Sequence, residues 1–145
     1  MKLEVQVHAK IKKPVVDVFD AIVNPEKVES YFATGGVSGP MTAGASVDWK
    51  FTDISFVQRM KVTKLVKNSE IQLDWFNEDG DRSKVQILFD KLGESETMVT
   101  IKHSGYKENE RGLEDSYSHC EGWTVMLVSL KGFLEYGINI SKGYW

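Results

Sequence analysis

The apolar positions of this chain follow two periods, and the change from one to the other marks out the elements. Near the N-terminus Leu3, Val5, Val7, Ala9 and Ile11 alternate with Lys2, Glu4, Gln6, His8 and Lys10. That is a strand with one wet face. His8 lies on the wet face and is assigned no function. Lys13-Pro14 ends the strand, and Val15, Val18, Phe19 and Ile22 follow at helical spacing; proline is tolerated in a helix's first turn. Asn24-Pro25 breaks that helix. A second short helix begins at Pro25 and carries Val28, Tyr31 and Phe32. Ala33 to Gly44 is glycine-rich without the spacing of a phosphate-binding loop, and no lysine-serine pair follows it. It reads as a flexible connection with a short strand near Val37.

From Ala45 the period is two almost without a break. Val47, Trp49 and Phe51 share a face, then Phe56, Gln58, Met60 and Val62, then Ile71, Leu73 and Trp75. Asn68-Ser69 and Asn77 to Gly80 are turns, with Asp79-Gly80 as a hairpin signal. Val85, Ile87 and Phe89 form a further strand; Leu92 to Glu96 turns the chain; Thr97, Val99, Ile101 and His103 face one way on the last strand. Strands joined by short turns make an antiparallel meander.

The period returns to helical from Asn109 to Gly137. Leu113, Tyr117, Cys120, Trp123, Leu127, Leu130 and Leu134 recur along one stripe, and Gly137 is well placed as a stop. A long amphipathic helix needs a large apolar surface, and only the sheet can supply it. The expected fold is α+β, a curved antiparallel sheet wrapped around the C-terminal helix, with two short helices closing one end of the groove.

Composition narrows the classes. At 145 residues the chain is expected to be one domain, 1–145, able to bury a core without metals. The net charge of -3, without a long single-sign run, argues against nucleic acid as the partner. No apolar run approaches the ~18 residues of a membrane span, and the N-terminus lacks a signal-peptide core. Cys120 is the only cysteine, so an internal disulfide is impossible; on the helix stripe it is expected to be buried. A cytoplasmic protein is the simplest reading.

Two stretches carry a family resemblance. Thr97 to Tyr106 reads TMVTIKHSGY, and Gly122 to Leu134 reads GWTVMLVSLKGFL. A final strand ending in histidine, a small residue, glycine and an aromatic, then a helix with Gly-Trp and spaced leucines, resembles the activators of the heat-shock-protein-90 ATPase and their bacterial homologues. Pro14 to Phe19 fits the same pattern, while Tyr31-Phe32 stands where many relatives have tryptophan. The resemblance implies the helix-grip fold of the START-like (SRPBCC, birch-pollen-allergen-like) superfamily. It also implies a cavity between sheet and long helix suited to apolar or amphipathic ligands. It implies no single activity.

Bulky residues on faces that can point inward are the candidate ligand contacts: Trp49, Phe51, Phe56, Met60, Trp75, Phe89, Ile101 and Trp123. They exceed what a plain sheet-on-helix core needs. His103 shares the inward face of Val99 and Ile101, and His119 lies one turn before Trp123, with Tyr117 nearby. A buried polar group needs a partner, in the protein or in a ligand. The three histidines are scattered, so no metal site is expected. No cofactor and no catalytic residue is assigned. Three functions compete: a cytoplasmic binding module for a small lipophilic molecule, a chaperone-cofactor-like interaction protein, and a polyketide-cyclase-type enzyme with a histidine acid/base. Binding ranks first. Of the tryptophans, Trp145 is expected in a frayed end.

Overall fold

The computed structural model describes residues 2–145. Strand β1 (Val5–Ile11) is followed by helices α1 (Val15–Val23) and α2 (Pro25–Tyr31), the two-residue strand β2 (Gly36–Val37), and five strands. These are β3 (Ser46–Phe51), β4 (Phe56–Val66), β5 (Glu70–Phe76), β6 (Arg82–Gly93) and β7 (Glu96–Ser104). Helix α3 (Glu110–Tyr136) comes last. All pairings are antiparallel, in the order β1-β7-β6-β5-β4-β3-β2. The first strand thus returns to pair with the last, and the meander between them curls into a half-barrel around α3.

The period-two reading decides which side chains enter that half-barrel. Val47, Trp49 and Phe51 are buried, as are Gln58, Met60 and Val62 on β4 and Ile71, Leu73 and Trp75 on β5. Val85, Ile87 and Phe89 continue the inner face onto β6, and Thr97, Val99, Ile101 and His103 onto β7. A register shift between Val62 and Lys64 marks a bulge in β4, a device that bends a strand and sharpens its twist. Asn68 takes a positive φ of 61° in the β4–β5 turn, a conformation asparagine tolerates better than most residues.

The helix boundaries follow capping chemistry. Asn24 accepts from the Glu26 amide at 3.1 Å to start α2, and Asn109 accepts from the Gly112 amide at 2.9 Å to start α3. Gly137, at φ 69°, ends α3 in the left-handed conformation. In the second half of α3 the expected stripe is correct: Trp123, Leu127 and Leu130 are buried, joined by Met126. In the first half it is not. Tyr117 is 68% exposed and Cys120 is exposed; the buried positions there are Gly112 and Ser116. The reason is arithmetic. At 3.6 residues per turn Tyr117 lies roughly 120° around the helix from Trp123, so a single stripe holding both was too broad. Small side chains occupy the true inner face because the incoming chain packs against it: a Cβ on Gly112 would lie 1.8 Å from the Lys107 carbonyl oxygen.

Candidate functional site

At one end of the half-barrel, β7 and α3 bring two imidazoles face to face. His103 and His119 stack with centroids 4.4 Å apart and planes 5° from parallel. His103 is fully buried, and both its ring nitrogens are used. Trp123 Nε1–H, which can only donate, reaches Nδ1 at 3.0 Å. Nδ1 is therefore unprotonated, and the proton of the neutral ring sits on Nε2, donated to Ser83 Oγ at 2.7 Å. The Ser83 hydroxyl passes the chain on toward Asn77 Oδ1 at 3.5 Å. Burial, with the neighbouring His119 adding repulsion, drives the His103 pKa from 6.5 down to about 2. This histidine is a neutral tie between sheet and helix.

His119 sits differently. Its Nδ1 is 2.7 Å from the Tyr106 hydroxyl. Burial first, then the charges of Asp115 and Cys120, push the Tyr106 pKa well above its ordinary value, so the phenol keeps its proton. Phenol is the better donor and imidazole nitrogen the better acceptor, so Tyr106 donates to Nδ1. The His119 proton then sits on Nε2. Burial lowers its pKa as well, opposed by Asp115.

Beside this cluster lies a half-open pocket of about 240 Å³, lined from the sheet and from α3. Phe51, Phe56, Trp75, His119 and Trp123, all expected from the sequence, line it. Phe32, Ile54, Gln58, Ser118, Gly122 and Trp145 line it too and were not among the candidates. Trp49, Met60, Phe89, Ile101 and His103 are buried but belong to the packed core beside or beyond the cavity: Phe89 meets Phe19 edge-on at 5.1 Å, and Trp49 packs edge-on to Trp75 and Trp123 at 6.4 Å each. Tyr117 faces away from the site.

Two of the additional residues had a signal in the sequence. Gln58 is the one polar residue on an otherwise apolar inner face of β4, and Gly122 leaves a gap on α3 where a Cβ would meet nothing within 4 Å. Trp145 had none, and the expectation of a frayed end is corrected: it borders the cavity mouth. The tail leading to it is pinned by Ser141 Oγ–H to the Tyr31 carbonyl at 2.7 Å, by the Gly143 amide to Asp53 at 3.1 Å, and by the Tyr144 hydroxyl to Glu121 at 3.1 Å. Such long-range tertiary bonds leave no local pattern.

Trp75 Nε1 is buried without a hydrogen-bond partner among the described residues, its ring set edge-on to His103 at 5.6 Å and His119 at 6.1 Å. Among the described residues no group of side chains could hold a metal ion, and no helix is long and apolar enough to cross a membrane.

A curled antiparallel half-barrel gripping a C-terminal helix defines a START-like protein. The family described as Activator of Hsp90 ATPase homolog 1-like protein matches residues 12–135, and the chain belongs to it. Solved structures share the fold. A protein from Staphylococcus saprophyticus is 22% identical, with a TM-score of 0.78 over 94% of this chain and 95% of its own. The Aha1 dimer of Colwellia psychrerythraea is 20% identical, with a TM-score of 0.75 over 92% and 97%. DynU16, from the dynemicin biosynthetic locus, is 24% identical, with a TM-score of 0.80 over 94% of this chain and 49% of its own, so this chain spans about half of it. No curated protein matches the sequence.

Proposed function

We propose that this protein, read as one START-like domain working in the cytoplasm, binds a small apolar or amphipathic molecule in the cavity between sheet and α3. The observation that carries the reading is the cavity itself. Aromatic rings from four parts of the chain (Phe32, Phe51 and Phe56, Trp75, Trp123) line a half-open space of about 240 Å³. Protein interiors otherwise pack at crystal-like density, and pockets with apolar walls and few polar groups are the usual small-molecule sites. The space exceeds the ~150 Å³ cavity that takes up benzene, which sets the occupant at about one substituted ring.

Native mass spectrometry of protein purified from its own host tests this directly. A retained neutral small molecule, lost on denaturation, is the expected result. Protein that arrives empty, and that shows no chemical-shift change at the cavity residues with any one-ring aromatic at millimolar concentration, would remove the binding reading. The second reading, an interaction role with a chaperone, rests on the family's description. It predicts binding to a partner protein that is indifferent to whether the cavity is filled. Arg59, Arg82 and Arg111 are the only arginines and each is engaged with acidic neighbours, so no free arginine cluster supports that reading.

A further inference from the structure

Three polar side chains line the cavity, Gln58, Ser118 and His119; Ser118 is exposed to solvent, and the hydrogen-bond network fixes what the other two can offer. Gln58 donates both amide protons to backbone, to the Arg59 carbonyl at 2.9 Å and the Phe76 carbonyl at 2.9 Å. That sets the orientation of the amide and leaves Oε1 as a pure acceptor. On the opposite element, Tyr106 occupies His119 Nδ1, which leaves Nε2–H as a donor. Among the described residues none bonds Gln58 Oε1 or His119 Nε2. Both residues line the cavity. One donor and one acceptor therefore stand in a wall made mostly of aromatic rings, with the exposed Ser118 hydroxyl apart from them.

From this pairing we infer that the cavity selects an uncharged, one-ring aromatic carrying both a carbonyl-type acceptor, for His119 Nε2–H, and a hydroxyl or N–H donor, for Gln58 Oε1. The inference rests on the binding reading above and adds the ligand's chemistry to it. Charge is selected against because no lysine or arginine lines the cavity, and an unpaired ion in an apolar site is costly. The lowered pKa of His119 agrees, since a neutral ring offers a donor without a counter-charge. Asp115 is the carboxylate that opposes this shift, and the facing His103 is itself held neutral.

Three probes of similar outline separate the possibilities: 4-hydroxyacetophenone, with acceptor and donor; 4-ethyltoluene, with neither; and 4-hydroxybenzoate, with a carboxylate. Affinities are read by protein-observed NMR titration. Net gains per hydrogen bond of about 0.5–1.5 kcal/mol predict the hydroxyketone to bind ~10-fold tighter than the hydrocarbon, and the benzoate to bind worst. His119→Phe keeps a stacked ring without nitrogens; read as the ratio of hydroxyketone to hydrocarbon affinity within the same variant, the preference should fall to about 3-fold, the share left to Gln58. The wild-type protein gives an independent readout, because the imidazole ¹⁵N signal of Nε2 should move with the hydroxyketone and stay fixed with the hydrocarbon. Equal affinities with a fixed Nε2 signal would overturn the polar selection while leaving the binding reading standing. Failure of all three probes to bind would remove both.

Discussion

At the scale of single residues, the two histidines show how one ring type takes two roles from its surroundings. His103 is shut between Trp75, Trp123, Ser83 and His119, and neither nitrogen is left to offer. Its folded pKa, about 2, lies far below its unfolded value of 6.5. Between those values the unfolded chain binds a proton that the folded one does not, so stability falls as pH falls. The stabilisation is complete above about pH 6.5 and is lost progressively below it, with a slope approaching ~1.4 kcal/mol per pH unit for one such group. His119, lowered in the same direction, adds to the slope. Denaturant titrations between about pH 5 and 7 should show it, and His103→Gln should flatten it. The same substitution should cost about 1–3 kcal/mol at pH 7, because glutamine cannot hold both the Trp123 donor and the Ser83 hydroxyl in the same geometry. An unchanged slope in His103→Gln would mean that this residue is not the source.

At the scale of elements, α3 carries most of what can be tested by packing. Leu127 is 2% exposed, and Leu127→Ala should lower stability by about 2–5 kcal/mol, read from the denaturant midpoint. Two glycines on the same helix should respond in opposite ways to the same change. Alanine is favoured over glycine in a helix by about 0.8–1.0 kcal/mol. At Gly112 that gain is overwhelmed, because the added methyl meets the Lys107 backbone, which cannot move without disturbing the Asn109 cap; Gly112→Ala should destabilise. At Gly122 a Cβ meets nothing within 4 Å, so Gly122→Ala should stabilise. The new methyl also stands at the cavity wall, so the same variant should weaken the binding of a one-ring ligand. Greater stability with tighter binding would place Gly122 outside the cavity's working volume.

The contrast also explains what could be read from sequence in this helix. The start near Asn109, the stop at Gly137 and the apolar half from Trp123 onward rest on local chemistry, and they were legible. The half carrying Gly112, Ser116 and His119 was not, because its inner face is small and polar to admit the returning loop and the imidazole stack. Hydrophobic periodicity cannot register a face of that kind, so it chose Tyr117 and Cys120 instead.

At the scale of the molecule, sheet order, inner face and helix placement all follow from one rule, that each element buries its apolar side against another. For that reason the fold was legible nearly throughout. The cavity was only half legible, because it is defined by what the packing leaves out. Phe51, Phe56, Trp75, His119 and Trp123 could be picked as inward-facing, but whether an inward residue fills the core or borders a space depends on neighbours far away in sequence, such as Ile54 and Trp145. The same distinction provides a test on the whole protein. A ligand that binds only the folded state stabilises it by RT ln(1 + [L]/Kd), about 2.7 kcal/mol at a hundredfold excess over Kd. For a chain of this size, each kcal/mol raises the midpoint by about 2–4 °C. Saturating 4-hydroxyacetophenone should therefore raise the thermal midpoint by roughly 5–10 °C, and Trp123→Ala, which opens the cavity and frees His103 Nδ1, should lower the starting midpoint and diminish the shift. A protein whose surface alone does the work would keep the same midpoint with or without the probe, and a flat response across the titration would direct attention from the cavity to that surface.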